Sequence, residues 1–484
     1  MKIIPGPRAD SRQLGTERGE GSFVVKDLRS WLDTLENHGE LLHIKKPVDP
    51  KTQMGALLYQ SRSKALMFHS LTGAPGWRSV GNAPANMDHV ALAFGMKKEE
   101  VVKFLASKMS ETLPWERVST GPVKEVHLEG DQIDLTKWPV HRAGTKDGGE
   151  VIGSGMVFTV DPETGLQNVS IHRLQVKGPR QTGILMVPRH TRAIYSKYEA
   201  MGKPMPVSVV IGHHPLYYMA AAISGSLGMD EMEIAGALLG EPVQMVKSEL
   251  SDIYVPAHAE IVIEGHIPPF EREEEGPFSE FQDYYIAGTG KNPIIVIDKV
   301  TKRNDAIFKN LQNGSEMEGC LFHKFPFGAA IYNHIQNVGG YVDIANLLVL
   351  PGIFGVVIQM TPRFAGEAKT VGLAALGSPV LHPKVVIVVD TDVNIYDYWE
   401  VLWAINTRVD PARDVSIIDG VRIHPMDPTG KELKGPGGPD WQRIGSKMVI
   451  DATKPATSFP EEREEYERIR PVGDGEVFLA DFLD

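Results

Sequence analysis

Between about residues 153 and 300 the chain is cut into short β-branched runs, each bounded by Gly or Pro, and no other stretch constrains the fold as much. The runs at 155–160, 169–177, 182–187, 207–211, 260–265 and 293–300 predict strands, with helices between them at about 191–201 and 229–239. Strands this dense leave too little chain for the helical crossovers of a doubly wound sheet, so a barrel or a sandwich is expected.

The flanks follow different patterns. Leu28, Trp31, Leu32 and Leu35 recur at helical spacing, Asp27 can cap that helix, and Gly39 can end it. A short apolar segment at 65–68 and a helix near 99–109 follow, and then a turn-rich connector around 115–122. Beyond residue 302, apolar strands such as 385–389 alternate with helices such as 398–406, the pattern of an α/β unit. Residues 1–22 read as a mobile arm, 434–440 (KGPGGPD) as a loop, and the acidic run 461–467 as a solvated helix or a tail that clasps a partner. There is no internal repeat.

Charge and cysteine content narrow the function classes. The formal net charge of −12, with a pI near 5.8, argues against general attraction to nucleic acid or an anionic membrane. A single cysteine, Cys320, precludes an intrachain disulfide and fits a reducing, cytoplasmic setting. No apolar run of signal-peptide type opens the sequence. The best candidates for a membrane span, 209–229 and 341–360, are interrupted by His213, His214 and Pro215 and by Asp343, Asn346 and Pro351, so both read as buried strand and loop.

Several familiar motifs fail on spacing. Gly288-Thr289-Gly290-Lys291 has Tyr285 where a phosphate loop needs its first glycine and Asn292 where it needs Ser or Thr. Gly153-Ser154-Gly155 has Phe158 in place of the third glycine of a dinucleotide fingerprint. His213 and His214 are adjacent, and neighbours on a strand point to opposite faces, which argues against a shared metal.

Two segments carry chemistry. Asn168-Val169-Ser170-Ile171-His172-Arg173 leads on to Pro188-Arg189-His190, and Glu275-Gly276-Pro277-Phe278-Ser279-Glu280 sets two carboxylates about a Gly-Pro turn. A turn can bring both carboxylates to one pocket beside a basic residue, where one orients the base and the other acts as an acid. The competing reading is an acidic surface loop, because Glu271, Glu273 and Glu274 lie just before it.

These segments resemble the UbiD family of reversible non-oxidative decarboxylases, which use prenylated FMN. Residues 168–173 resemble its cofactor and metal segment, His190 its metal histidine, and 230–237 (DEMEIAGA) its metal-glutamate helix. Residues 275–280 resemble its E-G-P-x-x-E segment, and 390–408 its C-terminal signature, with all five in family order. The fold the resemblance implies is α/β (α+β). An N-terminal α/β segment (23–120) precedes a split β-barrel that binds prenylated FMN (121–315). A C-terminal α/β oligomerisation domain with a helical linker and tail (316–484) completes the chain.

Carried over residue by residue, the resemblance implies that Asn168, His190 and Glu231 ligate Mn²⁺ or a similar divalent ion, which pins the flavin phosphate. Glu233 competes with Glu231 for that role, and the register to Gly236-Ala237 favours Glu231. The backbone of Ser170, Ile171, His172 and Arg173 would line the isoalloxazine, with Arg189, His190 and Lys384 also at the cofactor; a structural lysine at a strand start is the other reading of Lys384. The resemblance leaves room for K⁺ as well. Arg173, Glu275 and Glu280 match the catalytic set. Arg173 grips the substrate carboxylate, Glu275 orients Arg173, and Glu280 protonates the carbon that loses CO₂. Ser279 stands where the family commonly has glycine, and His172 where it varies.

The activity implied is decarboxylation of an aromatic, heteroaromatic or α,β-unsaturated carboxylic acid, with carboxylation at high CO₂. Phenolic and heteroaromatic acids rank first, because 175–178 and 231–237 resemble the hydroxyarenoic-acid members most. A flavin prenyltransferase would supply the cofactor, and a homodimer or homohexamer is implied. The alternatives are a conventional FMN oxidoreductase on a split barrel and a non-catalytic flavin-binding subunit of a carboxylase complex.

Overall fold

Six antiparallel strands close on themselves at the centre of the protein. In the computed structural model, which describes residues 26–187, 189–223, 228–286, 288–338, 342–432 and 443–483, Val151–Val160 lies between Gln167–Gly178 and Met205–Ile211. Met205–Ile211 pairs with Ile261–Ile267, which pairs with Gly290–Lys302. Gln181–Ile184 closes the ring by pairing with both Gly290–Lys302 and Gln167–Gly178. The proposed arm at 1–22 and the loop at 434–440 lie outside the described residues.

Alternation along the strands divides the core in two. Val207, Val209 and Ile211 point into the barrel with Ile261, Ile263, Ile295 and Ile297. Val210 and Val262, one position out of phase, point outward into a second core built on helices Pro215–Ala222, Glu231–Leu239 and Glu318–Val338. Each such side chain contributes about 1.5–3 kcal/mol on burial. The barrel interior is therefore packed with side chains, and any ligand must lie outside it.

The helix predicted at 28–37 forms over Leu28–Asn37 and buries the four apolar residues of its predicted face. Asp27 caps it by accepting from Ser30 N at 2.9 Å, and the Ser30 hydroxyl accepts from Asp27 N at 3.0 Å. The same Asp27 pairs with Arg303 at 2.6 Å, and Arg29 pairs with Glu260 at 2.9 Å, so this helix is fastened to one end of the barrel.

The N-terminal sheet runs Leu41–Ile44, Ala65–Phe68, Arg78–Gly81, and takes its fourth strand, Ile307–Lys309, from chain that follows the last barrel strand. Lys309 ends that strand in complete burial. It pairs with Glu318, at the start of the following helix, and donates to the carbonyl of Ala83 at 3.0 Å. In the C-terminal unit the sheet order is Ile344–Val349, Gly355–Met360, Val385–Val389, Arg443–Ala452 and Val415–Ile423. Helix Glu318–Val338 joins this unit to the rest, and Asn333 donates to the carbonyl of Ala106 at 2.7 Å.

One prediction needs correction. The apolar run from 209 reads as strand and loop, but after the strand ends at Ile211 the chain forms helix Pro215–Ala222. Pro215 starts this helix, and Pro215 through Ala221 are all buried, so it lacks the polar face that would give a helical period. His213 packs against Tyr217 with ring centroids 3.6 Å apart, and His214 caps the helix, so each has a structural role. No helix among the described residues is long and apolar enough to cross a membrane.

Candidate active site

Strand Gln167–Gly178 presents two sets of side chains on opposite faces. Asn168, Ser170 and His172 all turn toward Thr191, in the first turn of helix His190–Ala200. Asn168 Nδ2 donates to Thr191 Oγ1 at 3.3 Å, and the Ser170 and Thr191 hydroxyls are 2.6 Å apart. His172 holds Leu185 O through Nδ1 at 2.9 Å and meets Thr191 Oγ1 through Nε2 at 3.2 Å. Burial holds His172 below the usual imidazole range, so the ring is neutral and its Nδ1 donates.

Arg173, on the other face, meets the Gly-Pro segment. Its Nε and Nη2 donate to Glu275 Oε1 and Oε2 at 3.0 and 3.2 Å, a parallel pair, and Nη1 donates to Glu280 Oε1. Asn292 Nδ2 also donates to Glu275 Oε2, at 2.7 Å. The Phe278 ring lies 4.8 Å from the guanidinium carbon. Both carboxylates are buried, at 2% exposure for Glu275 and 7% for Glu280, which rules out the solvated-loop alternative. Strand Arg272–Glu275 pairs with the start of Gly290–Lys302, and Gly276 N donates to Gln175 Oε1 at 2.9 Å, two residues beyond Arg173. The carboxylates thus reach the arginine from 102 and 107 positions along the chain.

Burial pushes Glu280 up to about 7. The Arg173 charge pulls the other way, and Glu275 offsets part of that pull. The arrangement suits an acid that is half-protonated near neutrality, because the arginine's charge is shared with a second carboxylate.

The residues named for the metal come from three elements. Glu231, at the start of helix Glu231–Leu239, is buried and accepts from Val169 N at 2.9 Å, beside Asn168. Burial pushes its carboxyl up to about 8. His190 opens its helix next to Thr191, which Asn168 contacts; burial and then Arg189 hold its ring below the usual range. Glu233 is only half-buried. A deeply buried carboxylate with one protein donor, an amide and a neutral imidazole is a donor set that fits a divalent cation. Among the described residues no cluster of three or more His, Cys, Asp or Glu could hold a metal. The set here has only two of those types and would need Asn168 and further ligands to complete it.

Lys384 stands apart from these groups. It contacts Asp427 at 3.0 Å and Thr429 at 2.5 Å inside the C-terminal unit. Pro188 lies outside the described residues.

Sequence reasoning did not find the wall of rings that begins at Phe281. Phe281, next to Glu280, lies 6.4 Å from His323 and 6.1 Å from His382. His382 stacks on His424 at 3.9 Å and faces Phe327 at 4.5 Å. Burial, together with the Arg189 charge, holds His323 and His424 low, His424 at about 3; His382, held down by burial, His424 and Arg189, lies well below its usual range. Gln282 Nε2 donates to Met426 O at 2.7 Å, tying the Glu280 segment to this wall. These rings come from four separate segments spread over about 140 positions, so no spacing pattern could have shown them.

The comparisons with known proteins agree with this architecture. Models of the 3-octaprenyl-4-hydroxybenzoate carboxy-lyase N-terminal, Rift-related and C-terminal domains match residues 32–109, 116–316 and 320–452. A phenolic acid decarboxylase of Bacillus subtilis is 34% identical over 92% of this chain and 95% of its own. The UbiD-class enzyme HmfF from Pelotomaculum thermopropionicum in complex with FMN superposes with a TM-score of 0.87 at 34% identity, covering 94% of this chain and all of the other. An evolved dimeric form of HmfF in complex with prFMN gives 0.84 at 35% identity, covering 95% and 100%. A packed barrel with a buried Glu-Arg-Glu set on its outer face, between two α/β units, thus defines a carboxy-lyase. The chain belongs to the UbiD family.

Proposed function

We propose that this decarboxylase acts on an aromatic or heteroaromatic carboxylic acid with prenylated FMN, and that Arg173, Glu275 and Glu280 carry the reaction. The observation that supports this most is the buried fork of Arg173 to Glu275 with Glu280 on its third nitrogen. The prenylated flavin, when bound, would accept the electron pair released as CO₂ leaves. Arg173 would bind the substrate carboxylate by the edge it now offers Glu280, while Glu275 keeps the guanidinium plane fixed. Glu280, protonated near neutral pH, would deliver its proton to the carbon that lost CO₂. The phenylalanine and histidine wall would take the ring. Its neutral imidazoles, including a His382 Nδ1 without a protein partner, offer hydrogen bonds to a ring hydroxyl or heteroatom. Phenolic and heteroaromatic acids therefore rank ahead of simple α,β-unsaturated ones.

Asn168, His190 and Glu231 would hold Mn²⁺ or a similar ion, with Ser170, Ile171, His172, Arg189 and Lys384 toward the flavin. Lys384 would have to exchange Asp427 for the phosphate. We also assign a homodimeric or homohexameric assembly, a cytoplasmic location and a flavin prenyltransferase as cofactor supplier. Co-expression with such a prenyltransferase, followed by a screen of aryl and acrylic acids for CO₂ release, tests the reading. Activity is expected only in the co-expressed protein, and full turnover with plain FMN would overturn it.

A further inference from the structure

We propose that Asp147 is a positioning residue for Glu280, which pins the acid's peptide segment through Ser279 and sets a fixed negative charge behind it. This rests on the reading of Glu280 as the proton donor.

Asp147 is 1% exposed and lies in the loop that precedes the barrel. Its Oδ1 accepts from Ser279 N at 2.7 Å, and its Oδ2 accepts from the Ser279 hydroxyl at 3.2 Å and from Gly144 N at 2.8 Å. One carboxylate therefore clamps both the backbone and the side chain of the residue that precedes Glu280. The loop is itself held against the same segment. Gly148 N donates to Pro277 O at 2.8 Å, Lys146 N donates to the Tyr285 hydroxyl at 3.0 Å, and Arg142 Nη2 donates to Asp147 O at 2.5 Å. A Cβ at Gly148 would stand 2.3 Å from Gly276 O, and one at Gly144 would stand 2.1 Å from the Tyr285 hydroxyl. The contact thus closes backbone to backbone at Gly148 and backbone to the Tyr285 hydroxyl at Gly144, with no space for a side chain at either. Glycine at 279, the residue common in the family, could not make the hydroxyl bond.

The charges that face Glu280 are Arg173, Glu275 and Asp147. Arg173 favours the carboxylate, while Glu275 and Asp147 disfavour it. His141, near Asp147, is held neutral by burial and adds no charge. Arg173 is already shared with Glu275, so Asp147 supplies a second negative charge that helps keep the acid protonated.

The test needs neither cofactor nor substrate. Infrared pH-difference spectra of the purified full chain follow the protonated carboxyl band, and the band lost in Glu280→Gln belongs to Glu280. In Asp147→Asn the midpoint of that band is expected to fall by several tenths of a pH unit, roughly halving the protonated fraction at pH 7. In Ser279→Ala the charge stays, the midpoint holds, and amide hydrogen exchange across 276–285 rises several-fold. In the loaded enzyme, Asp147→Asn should move the alkaline limb of kcat to lower pH with KM little changed. A wild-type midpoint in folded Asp147→Asn, or unchanged exchange in Ser279→Ala, would overturn the positioning role. If the wild-type Glu280 band titrates in the ordinary carboxyl range, the acid assignment itself falls, and this inference with it.

Discussion

Arg173 gives two parallel hydrogen bonds to Glu275 and one to Glu280, so the carboxylate it binds more fully is the one that need not react. On the roles proposed above, this asymmetry would separate orientation from proton transfer. Glu280→Gln is nearly isosteric but cannot donate, so turnover should fall by about 10²–10⁴-fold while flavin content is unchanged. Glu275→Gln should cost less. Arg173→Ala should abolish turnover by losing the grip on the substrate carboxylate. Deuterium incorporation at the carbon that carried CO₂ is the discriminating measurement. Wild-type exchange in Glu280→Gln would remove that residue from the mechanism.

The rate should fall as pH rises through about 7, because Glu280 donates only when protonated and its carboxyl is held near that value. Glu275→Gln leaves the Arg173 charge less neutralised, which favours the ionised acid and should shift the fall to lower pH. Stability follows the same sign. The folded carboxyl keeps its proton above the ordinary value of 4.5, so its contribution is full below that pH and is lost as pH rises through about 7. Glu280→Gln should flatten that part of the stability curve in denaturant titrations across pH.

Metal and flavin should leave together. His190→Ala and Glu231→Ala are each expected to lower bound manganese by about 10–100-fold and to lower flavin absorbance with it. Glu233→Gln, on the half-buried side of the same helix, should change neither. Elemental analysis beside visible spectra reads both, and full flavin retention in metal-free His190→Ala would refute the link.

The Lys309–Glu318 pair offers a stability test remote from the chemistry. Both side chains are fully buried, and the ammonium lies 5.8 and 5.9 Å from the Tyr218 and Phe322 rings. Lys309→Met leaves a buried carboxylate without its partner and should cost about 3–5 kcal/mol. The double variant Lys309→Met with Glu318→Leu should recover most of that loss. Chemical denaturation of the three proteins checks both statements.

Local rules made the simpler elements legible. Helix Leu28–Asn37 followed from one apolar face and a capping aspartate, and strand Val385–Val389 from an unbroken β-branched run. Helix Pro215–Ala222 was hidden because burial on every side removes the periodic signal. The proposed catalytic set was only half legible. The spacing of Glu275 and Glu280 suggested paired carboxylates, but Arg173 joins them from more than 100 positions earlier in the chain, and only family resemblance anticipated that meeting. The His382–His424 stack was not legible at all, because two strands of the C-terminal sheet separate its members in sequence.

The parallel strand Ile307–Lys309, which follows the last barrel strand in the chain, gives the N-terminal sheet its last member, so the protein cannot be cut into independent modules there. A fragment that begins near residue 110 would keep this strand but lose Arg78–Gly81, leaving the backbone of Ile307–Lys309 unpaired on an open edge. A fragment that stops before it would leave an unfilled slot in the N-terminal sheet. The two halves must therefore mature together, and truncations or gene fusions at either boundary should yield insoluble product rather than a smaller working enzyme.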